Sequence, residues 1–454
     1  MADLIVKPAT SPLKGIVPVP PDKSITHRAL LLGALATGKS RVRAPRLGDD
    51  NLSTAAALRA LGVGVTIETD GSISIDGVGL FGLSAPSGPI DCGNSGTTMR
   101  LLTGILAAQR FQSVLVGDVS LSTRPMARIA DPLRLRGARI EGRLDPRRKG
   151  DIVAPLVIGP LPEPHVLSET RFDSPIPSAQ VKSALLLSGL YADGNTTMSE
   201  PLISRDHSER MLGSLGVPIS RIGALIELDG HAFSGTLPSF SLTVPGDLSA
   251  AAFVLSAALL VSGSEVGVRG VGLNPTRSGF LDAVRAMGAR IEVATEGEEL
   301  GESLGVVRAA ASALSGATLG GEVVARAIDE VPVLAALAAR ARGITTIVDA
   351  SELRVKESDR IAAMAAVLRA FGVGCEERQD GLVVEGQPDG PLRAADVSSQ
   401  GDHRIAMSAA LLGLVADGDS RVRDVDAIAT SFPRFAGTLR ALGANIVVEE
   451  GRNV

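Results

Sequence analysis

Apolar and polar residues follow one pattern that recurs six times along the chain. In each copy a helix-like segment closes on a glycine, and a strand-like run of apolar or alternating residues follows. A glycine in this place is typical of a helix C′ residue in the left-handed conformation. We therefore predict a helix end followed by a buried or half-buried strand at each copy. The copies read LRALGVGVTI, LRLRGARIEG, LGSLGVPISR, VRAMGARIEV, LRAFGVGCEE and LRALGANIVV, with glycines at Gly62, Gly137, Gly216, Gly288, Gly372 and Gly443.

A second kind of helical segment occurs once in each repeat. It begins with polar residues and continues apolar on almost every face, as is typical of interior helices. Only its N-terminal end is therefore expected to meet solvent or a ligand. With the β-rich runs beside most copies, each repeat is predicted to hold a strand, a helix and two further strands. The segments are PPDKSITHRALLLGALATG, CGNSGTTMRLLTGILAAQ, PIPSAQVKSALLLSGLYADG, VPGDLSAAAFVLSAALLVSG, AIDEVPVLAALAARARG and SQGDHRIAMSAALLGLVADG.

The first of these segments crowds donors into its first turn, at Lys23, Ser24, Thr26, His27 and Arg28. A helix N-terminus offers unpaired N–H groups and the positive end of the dipole, which together hold small anions. The alternative is that these polar residues are ordinary caps. Because Lys and Arg in a first turn oppose the helix dipole, we favour a bound anion.

Composition narrows the possible functions. A chain of 454 residues exceeds what one hydrophobic core usually supports, so two or more domains are expected. Aromatic residues make up only 2% of it, which argues against a base-stacking surface, and a net charge of −5 provides no basic field for a polyanion. Cys92 and Cys375 are too few for a disulfide framework or a cysteine-based zinc site.

The opening MADLIVKPATSPLKG lacks the pattern of a signal peptide. The most apolar segment, residues 250–263, is too short to span a bilayer. We therefore expect a cytoplasmic protein whose partners include neither membrane nor nucleic acid.

Seven motifs together resemble the 5-enolpyruvylshikimate-3-phosphate synthase family of enolpyruvyl transferases. They are PDKSITHR, GNSGTTMR, STRPM, SAQVKSALLLSG, DEVPVLA, LRVKESDR and GDHRIAMSAALLG, and they span residues 20 to 435 in the family's order. The resemblance implies an α/β fold of two similar domains, each an inside-out α/β barrel of three βαβαββ repeats, six repeats in total. It implies chain crossings near Pro20 and Pro245. One domain would hold residues 21–245, and the other 1–20 and 246–454. The domains would close when shikimate 3-phosphate binds.

The implied reaction belongs to the shikimate pathway, which leads to chorismate and the aromatic amino acids. The enolpyruvyl group of phosphoenolpyruvate passes to the 5-hydroxyl of shikimate 3-phosphate through a tetrahedral intermediate, and phosphate leaves. The resemblance implies no metal and no organic cofactor. It also implies that the partners are these two small-molecule substrates and that the enzyme is a monomer.

Two substrates carrying two phosphates and two carboxylates need a local excess of Arg and Lys, whose geometry suits such anions. The family match places shikimate 3-phosphate against Lys23, Ser24, Arg28, Ser178, the backbone of Ala179, Gln180, Arg205, Asp329 and Lys356. It places phosphoenolpyruvate against Lys23, Asn94, Gly96, Arg124, Gln180, Glu357, Arg360, His403 and Arg404. A plain Ser178 cap would leave Gln180 and Lys182 without a reason.

The match assigns the proton chemistry to Asp329, near the 5-hydroxyl, and to Glu357, near the phosphoenolpyruvate methylene, with Lys23 as a further catalytic candidate. Which group protonates C3 stays open. By spacing alone, Lys356, Glu357 and Arg360 equally fit a solvent-facing ion-pair cluster on a helix. For His403, a buried structural role is the alternative to contact with phosphoenolpyruvate.

The sequence departs from the family pattern in two places. Gly96 indicates a roomy phosphoenolpyruvate pocket and sensitivity to glyphosate, yet Leu101 follows Arg100 where many sensitive relatives have Pro. Thr430 in DAIATSFPRF stands where many relatives have a lysine that binds phosphoenolpyruvate. No lysine of the C-terminal segment is therefore assigned to the site.

The sequence has two alternative interpretations, an enzyme of related function and a protein without catalytic activity. The sibling enolpyruvyl transferase acting on UDP-N-acetylglucosamine shares the six-repeat architecture, but it usually carries Cys or Asp in a mobile loop. The corresponding GDVSLSTRPMARIAD has no Cys. A non-catalytic repeat scaffold would let the charged positions vary freely among repeats, whereas here they sit inside complete family motifs.

Overall fold

The computed structural model describes residues 2–45 and 47–450. Within them the strands are β1 (Asp3–Val6), β2 (Lys14–Pro18), β3 (Ala36–Arg43), β4 (Gly64–Ile67), β5 (Ser72–Val78), β6 (Ile90–Asp91), β7 (Ser113–Val116), β8 (Ile140–Leu144), β9 (Ile152–Ile158), β10 (Leu167–Asp173), β11 (Ala192–Ser199), β12 (Ile219–Ile222), β13 (Leu225–Leu228), β14 (Leu237–Pro238), β15 (Ser241–Thr243), β16 (Glu265–Gly272), β17 (Arg290–Glu299), β18 (Glu302–Ala310), β19 (Thr318–Leu319), β20 (Gly343–Ile347), β21 (Gly374–Arg378), β22 (Gly381–Gly386), β23 (Asp396–Ser398), β24 (Ser420–Arg423) and β25 (Ile446–Glu449).

The helices of the same residues are α1 (Lys23–Leu35), α2 (Asp49–Ala60), α3 (Gly96–Leu106), α4 (Ala127–Leu135), α5 (Ala179–Gly189), α6 (His207–Ser214), α7 (Leu248–Leu260), α8 (Gly279–Ala286), α9 (Gly321–Arg326), α10 (Val331–Ala338), α11 (Arg360–Ala370), α12 (His403–Gly413) and α13 (Phe435–Ala441). Short 3-10 helices cover Leu121–Thr123, Ser351–Val355 and Asp426–Thr430. No helix in the described part of the chain is both long and apolar enough to cross a membrane.

The strands form six small sheets of one design. Each sheet joins at least one parallel strand pair to an antiparallel neighbour. Their orders are β14-β3-β5-β4 with β15 also on β3, β6-β7-β9-β8, β10-β11-β13-β12, β17-β18-β16-β2, β19-β20-β22-β21 and β23-β24-β1-β25. The predicted sixfold repeat is confirmed at the level of whole sheets.

Three repeats take a strand from a distant part of the chain. Strands β14 and β15 complete the sheet of β3, β2 completes the sheet of β16, and β1 lies between β24 and β25. The other three run in chain order as strand, helix, strand, helix, strand, strand, for example β10-α5-β11-α6-β12-β13, and the repeat that begins with β19 has an additional short helix, α9, before α10. The repeat pattern of the sequence gives no sign of this exchange, because it shows which segments are strands but not which strands pair.

The chain forms two compact units. The first unit consists of residues 1–20, 245–297 and 303–454, and the second of residues 21–244 and 298–302. Each unit has a hydrophobic core of its own, built almost entirely from Ala, Leu, Val and Ile. Helices α7, α10 and α12 lie in the core of the first unit, and α1, α3 and α5 in that of the second.

The prediction of six interior helices is confirmed. Every residue of α7 is buried, and in α1 burial is continuous from Ile25 to Leu35. Side chains cap most of these helices: Asp22, Ser95, Ser178, Asp247 and Asp402 each accept a hydrogen bond from a backbone N–H of the first turn. The capping interpretation is therefore correct for the residues that precede these helices.

All six repeat glycines follow the last turn of a helix in the left-handed conformation. Their φ angles lie between +82° at Gly372 and +109° at Gly443. The predicted helix ends are confirmed, because a side chain at these positions would clash with its own backbone.

The polar first turn of α1 divides into two groups. Thr26 and His27 are fully buried, and the Thr26 hydroxyl donates to the Asp22 carbonyl. His27 Nδ1 lies 2.7 Å from Thr54 Oγ1. Lys23 and Ser24, in contrast, are half-buried. Thr26 and His27 therefore belong to the core, whereas Lys23 and Ser24 stay accessible.

Burial of His27 predicts a pH-dependent stability. Burial lowers the pKa of His27 to about 3, whereas an unfolded histidine titrates near pH 6.5. Stability is fully present above about pH 6.5 and declines toward pH 3, because the unfolded chain takes up the proton first. Lowering the pH from 7 to 5 should cost roughly 2 kcal/mol of unfolding free energy at this residue.

Urea unfolding at pH 7 and pH 5 measures this loss. His27→Gln should remove about that much of the pH dependence, whereas His231→Gln, at an exposed histidine, should retain it. If the unfolding free energy of His27→Gln depended on pH as strongly as that of the unmodified chain, His27 would not be the source of this pH dependence.

Candidate functional site

Arg28 is the buried cation of a cluster in the second unit. Its guanidinium donates to the Ser208 hydroxyl at 2.7 Å, the Ser183 hydroxyl at 2.6 Å and the Ser24 carbonyl at 2.9 Å. Burial lowers its pKa to about 10, although nearby carboxylates, foremost Glu209, act in the opposite direction; the charge of Arg205 lowers the pKa further. Arg28 thus stays protonated at neutral pH. Its direct hydrogen-bond acceptors are uncharged hydroxyl and carbonyl oxygens, which suits an anion-binding residue.

The start of α5 places three predicted residues in sequence. Ser178 caps the helix, with its hydroxyl 3.4 Å from the Val181 backbone nitrogen, and Ala179 and Gln180 form its first turn. Gln180 accepts from Arg100 Nη1 at 2.6 Å and donates to the Thr97 hydroxyl at 3.1 Å. The Gln180 side chain therefore links the start of α5 to the start of α3.

Arg124, Asn94 and Gly96 come together at the start of α3. Arg124 donates to the Asn94 side-chain oxygen at 2.5 Å and to its carbonyl at 3.2 Å. A methyl group on Gly96 would lie 3.4 Å from Arg124 Nη1 and 3.0 Å from Arg100 Nη1. Gly96 is thus the position where the backbone leaves room for two guanidinium groups.

The turn between β8 and β9 holds the segment that carries Arg124. Arg147 and Arg148 donate to the Thr123 carbonyl at 2.7 and 3.2 Å, and Asp145 pairs with both arginines. Because Thr123 directly precedes Arg124, this turn orients a predicted ligand-binding residue.

Lys23 and Lys182 of this unit both have carboxylate partners. Lys23 Nζ lies 3.0 Å from Asp50 Oδ2 and stays half-buried. Lys182 is fully buried, 2.9 Å from Glu200 and 2.8 Å from Glu209. A cap by Ser178 does not explain why a lysine stands at position 182. The structure explains it, because Lys182 forms an internal ion pair with these carboxylates.

Asp329 is the centre of a second cluster, in the first unit. Its carboxylate lies 3.3 Å from Arg360 Nη1, 3.8 Å from Arg404 Nη2 and 3.9 Å from Lys356 Nζ. Arg404 also donates to the Asp329 carbonyl at 2.8 Å. Three cations around one carboxylate stabilise its negative charge.

Arg360 joins three carboxylates. Besides Asp329, it donates to Glu357 at 2.6 Å and to Asp402 at 2.8 Å. Burial by itself lowers the pKa of Arg360, but the charges of Asp402, Glu357 and Asp329 outweigh it and raise the pKa above the ordinary arginine value. The side chain is 1% exposed. The Glu357–Arg360 pair does form at the expected spacing, but the solvent-facing alternative is wrong for Arg360.

His403 begins α12, and its Nε2 lies 3.3 Å from the Ser431 hydroxyl. The neighbouring Thr430 donates its hydroxyl to the Ala427 carbonyl inside its own 3-10 helix. Thr430 therefore serves its local turn, and its neighbour Ser431 contacts the histidine.

Several charged side chains contact the assigned residues but were not in the sequence-based assignment, among them Asp50, Arg100, Asp402 and Glu330. Asp402 caps α12 and pairs with Arg360, and Glu330 Oε1 lies 3.7 Å from Arg404 Nη1. Asp402 stood in the quoted GDHR motif, and Glu330 directly follows Asp329. Their positions inside the motifs indicated that they could belong to the site. Their pairing with arginines distant in sequence could not be predicted from the sequence.

Comparison with known proteins gives one consistent result. The family model of EPSP synthase (3-phosphoshikimate 1-carboxyvinyltransferase) matches residues 7–453. A 3-phosphoshikimate 1-carboxyvinyltransferase of Geobacter sulfurreducens is 49% identical over 97% of this chain and 99% of its own length. One of Syntrophotalea carbinolica is 49% identical over 95% of this chain and 96% of its own length. The solved EPSP synthase of Acinetobacter baumannii is 39% identical, with a TM-score of 0.87 over 99% of this chain and all of that one.

Proposed function

The chain belongs to the EPSP synthase family and catalyses the family's reaction in the shikimate pathway, and on that premise we propose how its residues divide the work. The enolpyruvyl group of phosphoenolpyruvate passes to the 5-hydroxyl of shikimate 3-phosphate, and phosphate leaves. Because the chain belongs to this family, it is neither the non-catalytic repeat scaffold nor the enolpyruvyl transferase that acts on UDP-N-acetylglucosamine. The observation that carries the proposed roles is the arrangement of Arg360, Arg404 and Lys356 around the Asp329 carboxylate.

Shikimate 3-phosphate is bound through Arg28 and the start of α5. The buried Arg28, oriented by two hydroxyls, and the nearby Arg205 attract a phosphate, while the Ser178 hydroxyl and the first N–H groups of α5 offer donors. Lys23 and Ser24 add a second cation and a hydroxyl. Lys356 and Asp329 complete the set, with Asp329 accepting the proton of the 5-hydroxyl.

Phosphoenolpyruvate is bound by arginine groups. Arg124 is held by Asn94 beside Gly96, and Arg404 is held by the Asp329 carbonyl, so both guanidinium groups are oriented before an anion arrives. Gln180 and Lys23 contribute from the same unit as Arg124. Arg360 and His403 belong to the same set.

The proton chemistry rests on Asp329 and Glu357, which are both tied to Arg360. Asp329 contacts Nη1 of Arg360 and Glu357 contacts Nη2, so the two carboxylates lie in different environments. A general acid and a general base need such a difference, because their proton affinities must differ. Asp329 acts on the 5-hydroxyl. Glu357 and Lys23 are the two candidates that deliver a proton to C3 of phosphoenolpyruvate.

The protein needs no partner beyond its two small-molecule substrates. We propose that it works as a monomer in the cytoplasm. Size-exclusion chromatography with light scattering measures the first point, and a dimer mass would contradict it.

Phosphate release with both substrates, measured without added metal, tests the assignment. Release should require phosphoenolpyruvate and shikimate 3-phosphate together and should yield the enolpyruvyl product. Arg124→Ala and Arg404→Ala should each raise the KM for phosphoenolpyruvate, whereas Arg28→Ala should raise the KM for shikimate 3-phosphate. Unchanged KM values in these variants would contradict the assigned roles.

Gly96→Ala is expected to weaken phosphoenolpyruvate binding. The added methyl would lie 3.0 Å from Arg100 Nη1, so that guanidinium must shift by a few tenths of an ångström, and it would contact Arg124 Nη1 at 3.4 Å. The KM for phosphoenolpyruvate should rise about 3- to 10-fold, or ~1 kcal/mol. Gly88→Ala is the matched control, because a methyl there meets nothing within 4 Å.

The same pocket is proposed to bind glyphosate. The inhibition constant of glyphosate is expected to be well below that of the Gly96→Ala variant when it is measured on the unmodified chain. An inhibition constant far above the KM for phosphoenolpyruvate would contradict this sensitivity.

A further inference from the structure

A buried polar network in the first unit reaches Arg404 through Glu330. Arg277 donates to Asp247 at 2.9 Å and to the Ser249 hydroxyl at 2.7 Å, and the Ser249 hydroxyl donates to Glu330 Oε1. Each of these residues is at most 8% exposed. The network joins the start of α7 to the start of α10, and the proposed chemistry uses none of its members.

Glu330 connects this network to Arg404. Its Oε1 lies 3.7 Å from Arg404 Nη1 and 4.0 Å from Arg277 Nη1, and its Oε2 is buried without a hydrogen-bond partner among the described residues. The charge of Glu330 is therefore compensated by two guanidinium groups at a distance, together with one hydroxyl. A carboxylate held in this way acts electrostatically on Arg404 in a medium of low dielectric constant.

The Arg404 guanidinium lies near two acidic residues, Glu330 and Asp329. The same Nη1 atom donates to the Asp329 carbonyl, and Nη2 lies 3.8 Å from the Asp329 carboxylate. Glu330 and Asp329 are neighbours in sequence, and their carboxylates lie nearest to different nitrogens of the guanidinium, Nη1 and Nη2. Without Glu330, Asp329 alone would attract the guanidinium.

We propose that Glu330 is a positioning residue, held by Ser249 and Arg277, which keeps the guanidinium of Arg404 directed for phosphoenolpyruvate rather than collapsed onto Asp329. This inference rests on the proposed role of Arg404. The network affects the binding of only one of the two substrates. It acts on phosphoenolpyruvate through Arg404, whereas shikimate 3-phosphate without phosphoenolpyruvate binds with unchanged affinity.

Glu330→Gln tests the inference, because it removes the charge and keeps the shape. The KM for phosphoenolpyruvate should rise about tenfold, with kcat changed less than threefold. The dissociation constant of shikimate 3-phosphate, measured by calorimetry without phosphoenolpyruvate, should stay within about twofold. Ser249→Ala, a milder change that removes only the hydroxyl holding Glu330, should shift the KM in the same direction by a smaller factor.

Glu302→Gln is the matched control for loss of a buried carboxylate. Glu302 is fully buried and pairs with His207 at 2.8 Å. It should lower the melting temperature without raising the KM for phosphoenolpyruvate. An equal KM rise in Glu302→Gln, or an unchanged KM in Glu330→Gln, would overturn the inference.

A double-variant cycle separates this inference from the proposed function. If Glu330 acts through Arg404, adding Glu330→Gln to Arg404→Ala should raise the KM no further. Additive effects would overturn the positioning role while leaving Arg404 as a phosphoenolpyruvate ligand. If Arg404→Ala by itself left that KM unchanged, the proposed role of Arg404 would fail, and the inference with it.

Discussion

Asp329→Asn should lower kcat by about 10² to 10⁴-fold. The carboxylate is held among Arg360, Arg404 and Lys356 at 3.3 to 3.9 Å, and an amide of the same shape cannot accept the proton of the 5-hydroxyl. Both substrates should still bind, because the cations remain. Steady-state phosphate release at saturating substrate concentrations measures kcat, and calorimetry measures shikimate 3-phosphate binding.

Asp282→Asn is the matched control for this change. Asp282 lies in the same unit, is 38% exposed and pairs with Arg326 at 2.8 Å. Its kcat should equal that of the unmodified chain. If Asp329→Asn kept kcat within a factor of about three, another group would have to be the base.

Arg360→Leu should lower the unfolding free energy by about 3–5 kcal/mol. The change leaves Asp402, which is fully buried, beside Glu357 and Asp329 with their shared cation removed. A buried carboxylate without its counter-charge is destabilising, and the apolar packing of the new leucine offsets only part of that cost. Urea unfolding followed by circular dichroism measures the loss.

Arg354→Leu separates this effect from ordinary surface pairing. Arg354 pairs with Asp359 at 2.8 Å and with Glu377 at 3.0 Å, but it is 25% exposed, so its loss should cost less than about 1 kcal/mol. Adding Asp402→Leu to Arg360→Leu should restore part of the stability. Equal losses in Arg360→Leu and Arg354→Leu would show that the buried network contributes little.

Local patterns predicted the elements of the fold well. The glycines from Gly62 to Gly443 marked helix ends, and all six adopt the left-handed conformation. The apolar helices are buried as their composition predicted. Both signals arise within a few residues of the chain, where steric limits and side-chain periodicity act directly.

Prediction was weaker where a side chain could face either a ligand or the core. Lys23, Ser24, Thr26, His27 and Arg28 looked alike as donors in one turn, but Thr26 and His27 turned out to be core residues. Arg360 had the spacing of a surface ion pair, and it is buried because Asp402, 42 residues away, supplies its counter-charge. Helical position within one turn cannot show which neighbouring element covers it.

The amino-acid sequence by itself determined the six repeats, the positions of the helix ends, the buried helices and, through its motifs, the family. Only the tertiary structure decided that β1, β2, β14 and β15 complete distant sheets, and that Asp402 and Glu330 face Arg360 and Arg404. The physical reason is the range of the interactions. Caps, turns and periodicity act between near neighbours in the chain, whereas pairing of a strand or a buried charge depends on segments up to hundreds of residues apart, as between Lys14 of β2 and Glu265 of β16.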